Sequence, residues 1–184
     1  IVAKGHNFPL LTLVGVVDAD SGLKGGDLRA GERTYQLLSQ VAGRAGRADR
    51  PGRALIQTYQ PDEPAMQTLA AGDRDAFLAI ERENREMLTM PPYGRMAALV
   101  LSAPSAESVD EFAREIAANA PHGESIEVYG PALAPLSVIR GRHRRRFLIK
   151  APKSVNLSAY MAEWRRMMKV PGNARVSVDI DPYS

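Results

Sequence analysis

The 184-residue chain contains no cysteine. It therefore forms no disulfides and offers no thiolate metal site, consistent with a reducing cytoplasm. It also lacks a long hydrophobic run. The longest stretch, residues 10–17 (LLTLVGVV), is interrupted by Thr12 and is far too short to span a bilayer, so no membrane partner is expected. There is no secretory signal and no initiator Met, and the opening residues fall inside a motif, so an excised piece of a longer chain is expected. A phosphate loop of the form G-x-x-x-x-G-K-[ST] is missing, as is an acidic Asp-Glu pair of the helicase type after a strand. Arginines without that loop and its Mg²⁺ carboxylate do not turn ATP over, which excludes a self-contained ATPase.

Composition is otherwise that of a globular protein, 45% hydrophobic and 24% charged. The net charge of +3 is unevenly spread: residues 1–60 carry +3, residues 61–93 carry −4 and residues 94–184 carry +4. Two basic modules joined by an acidic connector suit a polyanionic partner.

The segment Gln40-Val-Ala-Gly-Arg-Ala-Gly-Arg47 closes an apolar-periodic helix. Leu38, Val41, Ala42 and Ala45 share its inward face, and Arg44 and Arg47, at i and i+3, project together from the last turn. Gly43 and Gly46 clear space for close approach of a ligand. Paired guanidiniums there suit phosphate oxygens gaining charge in phosphoryl transfer. A helix end with cations complementing its dipole, or a basic linker, fits the same residues.

Residues 10–17 read as a buried strand, with Asp18 and Asp20 just past its end, and residues 54–59 as a second strand after Arg50-Pro-Gly52. Strand, helix, strand is a βαβ unit of a parallel sheet that needs further strands. Ahead of it, Lys4, Gly5, His6 and Asn7 form a polar loop able to donate to a nucleic-acid backbone or a nucleotide, or a solvated turn. A short helix over 64–71, a break at Gly72, and a helix capped by Asp73 and running to about Leu88 follow. Phe77, Ile80, Met87 and Leu88 supply its apolar side, and Pro91-Pro92 ends the connector.

Residues 94–184 alternate regularly. Strands are expected over 96–102, 146–150 and 175–180, with 126–129 and 136–140 as strand candidates between them, and helices over 105–119 and 156–170. The two middle pieces, 136–140 and 146–150, pair across Gly141. The order β-α-β-β-α-β is that of a ferredoxin-like two-layer sandwich. Its most unusual segment is Arg140-Gly-Arg-His-Arg-Arg-Arg146. Arg140, Arg142, His143, Arg144, Arg145 and Arg146 around a hairpin tip make a phosphate-contacting prong with salt-sensitive binding, or a charged edge strand that resists aggregation. Met161, Met167 and Met168 read as core filling.

QVAGRAGR also matches the arginine motif that closes the second motor lobe of superfamily 2 helicases. In this form, with IVAKGHNFP at the start, Asp18-Ala-Asp20, Gly31-Glu-Arg-Thr34, Pro91-Pro-Tyr93 and Val178-Asp-Ile-Asp-Pro182, the chain resembles the PriA family of bacterial replication-restart helicases. The resemblance implies a parent that is an ATP-dependent 3′-to-5′ DNA helicase, binding abandoned forks and reloading the replication machinery. Residues 1–60 would end a RecA-like lobe, 61–93 connect, and 94–184 form a ribosomal S10-like terminal domain. Arg44 and Arg47 would contact the ATP γ-phosphate, Gln40, Gly43 and Gly5 would line that site, and Lys4 and His6 would touch DNA. The family has Asp where Asn7 stands, so no magnesium role follows for Asn7. ATP with Mg²⁺ and zinc are implied for the parent, with no zinc ligands in this chain. Forked and single-stranded DNA, single-stranded DNA-binding protein and other primosome proteins are the implied partners, and a cytoplasmic monomer the implied state. Lys153, Arg165 and Arg166 could supply a basic rim for an acidic-hydrophobic tail. A restart protein that has lost its motor and keeps only a binding module is the alternative.

Overall fold

A computed structural model describes residues 12–22, 29–42 and 53–182. It divides between Asn84 and Arg85 into two units. In the first, β1 (Leu13–Val16) and β2 (Arg53–Ile56) pair in parallel, with Leu13 opposite Arg53 and Val16 opposite Ile56. α1 (Ala30–Ala42) is the crossover between them, as a parallel pair requires. Leu38, on the apolar stripe of α1, packs with Ala19 and Met66, flanked by Val16, Ile56 and Leu69.

The expectation of a strand buried on both faces is not met. Val14 is buried, but Leu13 is 54% and Val17 79% exposed, because a two-stranded ladder with helices on one side buries only that side. Beyond β1 a 3-10 turn, Ala19–Gly22, carries Asp20 inward to 5% exposure. Its two carboxylate oxygens accept from the Thr58 hydroxyl (2.8 Å) and the Tyr59 amide (2.9 Å). Asp20 thus ties the segment after β2 to the segment after β1, a framework role its position at a strand end did not reveal.

α2 (Pro64–Ala71) begins with proline in its first turn and ends at Gly72, whose φ of 71° closes the cap. α3 (Arg74–Met87) starts under Asp73, whose Oδ1 accepts from the Ala76 amide at 3.0 Å. Tyr35 of α1 stacks on Phe77 of α3, ring centroids 4.4 Å apart. Phe77 is buried, whereas Met87 and Leu88, expected on the same packed side, are exposed: the packed face ends before the helix does.

The second unit runs β3 (Gly94–Ala103), α4 (Ala106–Ala118), β4 (Glu127–Ile139), β5 (Arg142–Pro152), α5 (Leu157–Met167) and β6 (Arg175–Ile180). The sheet order β4-β5-β3-β6, antiparallel throughout, is the split β-α-β arrangement of the ferredoxin-like sandwich. One face is covered by both helices. Val109, Phe112 and Ile116 of α4 and Leu157, Met161 and Trp164 of α5 pack on alternate residues of β3 and β5, Leu99, Leu101, Phe147 and Ile149 among them. Each large aliphatic removed from water here contributes roughly 1.5–3 kcal/mol. Trp164 is fully buried, its indole N–H reaching the Ile116 carbonyl at 3.3 Å and its ring edge-on to Phe147. The helices start under Ser105 and Asn156, whose side chains accept from the Ser108 and Ala159 amides. Of the three methionines, Met161 is core and Met168 packs at its margin, but Met167 is 52% exposed.

The expected strands 126–129 and 136–140 are one strand. β4 runs unbroken from Glu127 to Ile139 with register shifts between Tyr129 and Ala132 and between Leu133 and Val138. Pro131 and Pro135 suit it because β4 is an edge strand. Gly130 absorbs the first shift at φ 118°, where a Cβ would stand 2.8 Å from the Arg146 carbonyl oxygen.

The end of β6 is clasped to β3. The Asp181 carboxylate accepts from Arg95 Nε (2.8 Å) and the Met96 amide (3.0 Å), while its own amide donates to the Met96 carbonyl (2.7 Å).

Candidate nucleic-acid interface

The arginine-rich run is mostly strand. Only Arg140 and Gly141 form the turn, with φ of 50° and 73°, the positive pair of a two-residue type I′ hairpin. From Arg142 the chain is β5, which lies between β4 and β3. A charged-edge explanation for these arginines therefore fails, since β5 is interior.

Strand alternation sorts them. His143 and Arg145 share a face with Phe147 and Ile149, the helix side. There Arg145 forks onto Asp110 of α4, Nε to Oδ1 at 2.5 Å and Nη2 to Oδ2 at 2.8 Å. Arg142, Arg144, Arg146, Leu148 and Lys150 point to the opposite face. Arg142 donates through Nη2 to the carbonyls of Ser102 (2.9 Å) and Asn173 (2.7 Å), fastening β3 to the loop before β6. Arg144 makes one bond to the Leu136 carbonyl at 3.1 Å. Arg146 is 9% exposed. Arg140 is exposed at the turn. Of the six residues expected to form a prong, Arg142, Arg145 and Arg146 are built into the fold, and Arg140 and Arg144 are those best placed to meet a ligand.

The register adds residues that spacing could not locate. Across the face away from the helices, Ser102 lies between Arg144 and Arg175. Tyr129 lies beside Leu148 and is 49% exposed. Its hydroxyl donates to Glu127 Oε2, and Lys150 Nζ sits 5.8 Å from the ring centroid and 3.2 Å from Glu127 Oε1. The Tyr129 hydroxyl first and Lys150 second hold the Glu127 carboxyl below its usual range. Burial alone would lower the Lys150 ammonium, but Glu127 and Tyr129 more than reverse this and raise it. At one end of this face Lys150 Nζ donates to the Leu88 carbonyl at 3.1 Å, and Met96 and Ala98 are covered. The end holding Arg144, Arg175 and Ser177 is more open.

In the first unit Gln40 is exposed on α1. It lines a cleft of about 520 Å³ with Tyr35, Gln36, Ser39, Arg74 and Phe77. Lys4, Gly5, His6, Gly43, Arg44 and Arg47 lie outside the described residues. Among the described residues no group of three His, Asp or Glu side chains could hold a metal ion, and no helix is long and apolar enough to cross a membrane. Lys153, Arg165 and Arg166 are all exposed, the two arginines in the last turn of α5.

Residues 86–183 match the family model described as the primosomal protein N C-terminal domain, almost coincident with the second unit. The whole chain is 44% identical over 184 residues to the replication restart protein PriA of Rickettsia conorii, covering 28% of that protein. It is 35% identical to the PriA of Bacillus subtilis, again along the whole chain and over 23% of the relative. Against the Haemophilus influenzae PriA it is 34% identical across 99% of the chain and 25% of the relative. The chain thus spans about a quarter of the length of the curated relatives it matches.

Proposed function

The chain belongs to the PriA replication-restart family, and on that premise we propose that it is the C-terminal part of an ATP-dependent 3′-to-5′ DNA helicase that recognises stalled forks and rebuilds the primosome. The observation that carries this reading is the end-to-end match with PriA proteins, which takes in both units. Residues 1–60 end the second motor lobe, 61–93 connect, and 94–184 are the terminal domain. Arg44 and Arg47 meet the γ-phosphate of Mg·ATP held by the rest of the motor, with Gln40, Gly43 and Gly5 around it. Lys4 and His6 pass the nucleotide state to DNA. Without a phosphate loop of its own, the chain by itself does not hydrolyse ATP. The parent works as a cytoplasmic monomer and carries zinc on ligands other than these residues. Single-stranded DNA-binding protein docks its acidic tail against Lys153, Arg165 and Arg166.

DNA contact in the terminal domain is supported by Arg140 and Arg144 on the β4–β5 hairpin, where guanidinium donors are left for phosphate. The test is forked-DNA binding by the 184-residue chain across a salt series, beside Arg140→Ser/Arg144→Ser and the framework variant Arg145→Met. Salt-steep binding is expected, with the double variant flattening the log–log slope by up to about 2, one unit per phosphate contact. Arg145→Met, once shown to be folded, keeps the slope. Absence of fork binding at low salt would overturn the reading.

A further inference from the structure

We propose that the sheet face away from the helices binds single-stranded DNA, one base stacking on Tyr129 and the neighbouring phosphates lying on Arg144 and Arg175. This rests on the DNA-binding reading above and specifies the form of DNA the terminal unit takes.

A stacking platform needs an accessible ring held still before the base arrives, so that little ordering remains to be done on binding. Tyr129 meets both conditions. It is half exposed, its hydroxyl is tethered to Glu127, and Lys150 stands beside the ring. The carboxylate that would repel a phosphate there is matched by the Lys150 ammonium at 3.2 Å. Beyond this locally neutral spot the face turns basic. Along β5, Leu148, the partner of Tyr129, and Arg144 are four residues apart, about 13 Å at strand rise. Arg144 and Arg175 flank Ser102 on adjoining strands, about 10 Å apart. Aromatic ring and cations thus lie along a path a few extended nucleotides long. A paired duplex cannot use the ring, because its bases are already stacked on one another, whereas an unpaired strand offers every base face. Met96, Ala98 and Arg146 on this face are covered, so the strand makes its contacts at the exposed Tyr129 ring and at the open end that holds Arg144 and Arg175.

The experiment measures anisotropy of a labelled oligo-dT strand, the same strand made abasic, and a fully paired duplex, with the 184-residue chain and its Tyr129→Ala, Tyr129→Phe and Arg144→Ser/Arg175→Ser variants. Trp164 fluorescence confirms that each variant is folded. Tyr129→Ala should weaken oligo-dT binding about 5- to 150-fold and leave duplex binding unchanged, while Tyr129→Phe stays within about twofold of the original. The abasic strand should lose the same factor with the unmodified chain, and the double arginine variant should flatten the salt slope. If the chain binds oligo-dT and Tyr129→Ala binds it equally well, or if the abasic strand binds as tightly as oligo-dT, the stacking inference is overturned and DNA binding stands. If the chain binds none of the three DNAs, the DNA reading itself falls, and this inference with it.

Discussion

Arg145 separates framework from ligand contact within the arginine run. Its side chain is 14% exposed and forks onto Asp110, whose side chain is 47% exposed. Exposed ion pairs contribute about 0–1 kcal/mol, and breaking a buried one costs about 3–5 kcal/mol. This pair, two-pronged but open on the acid side, falls between, at about 1–2 kcal/mol of coupling. Arg145→Met keeps the aliphatic stem and loses the fork. Asp110→Ala leaves a mostly buried cation without its acid and should be the more harmful, at about 1–3 kcal/mol. In a domain of this size that is a shift of about 5–15 °C in Tm. Trp164 is the sole tryptophan and lies in the second unit's core. Its fluorescence during urea unfolding therefore reports that unit alone. The double variant should be less destabilised than the sum of the singles by the coupling energy. Additivity within about 0.3 kcal/mol would refute the assignment. So would an Arg145→Met protein that is fully stable yet has lost its DNA.

Three other outcomes follow from the geometry. Gly130→Ala should destabilise the second unit by about 1–3 kcal/mol, because φ is 118° and the new Cβ would meet the Arg146 carbonyl; unchanged urea midpoints would count against the bulge as described. Ser105→Ala removes the acceptor for the Ser108 amide and should cost about 1 kcal/mol, recovered in part by Ser105→Asp. Glu127 should titrate below its ordinary 4.5 in a carboxyl NMR experiment. Because the folded value is the depressed one, its contacts persist above 4.5 and are lost as pH falls through that lower value. Tyr129→Phe and Lys150→Met should each bring the titration back towards 4.5, and an unmoved curve in both would show the tether to be absent.

The element order of the second unit was legible because alternation and helical periodicity agree there and because caps such as Ser105 stand where helices begin. The continuity of β4 was not. Gly130, Pro131 and Pro135 are breakers in a central strand and tolerable at an edge, and edge position depends on pairing partners that sequence does not name. The same blindness made the arginine run look like a prong. Gly141 correctly located the turn, but whether Arg142 to Arg146 lie at a tip or in mid-sheet is fixed by β3, some forty residues earlier. Arg175 and Tyr129 were invisible as site residues for that reason: only register brings Arg175 level with Arg144 across Ser102. In the first unit Leu38 and Val41 were read as inward and are buried, whereas the double burial expected for residues 10–17 assumed a second covering layer. Asp20 was noticed for its place at a strand end, yet its oxygens serve the chain itself.

The clasp at Asp181 carries a consequence for the order of assembly. β3 opens the second unit and β6 closes it, and the Arg95–Asp181 contact joins residues 86 apart in sequence. A ribosome making this chain delivers α4, the β4–β5 hairpin and α5 before β3 can acquire its second neighbour. Until then one side of Leu99 and Leu101 waits for Val176 and Val178, and closing so long a loop is the slow, entropically expensive step. A message cut short before residue 175 would yield a product with both helices intact and the middle of its sheet exposed. Such a product invites pairing with another copy and early proteolysis. Completion of β6 covers that open side of β3 and removes the exposed edge.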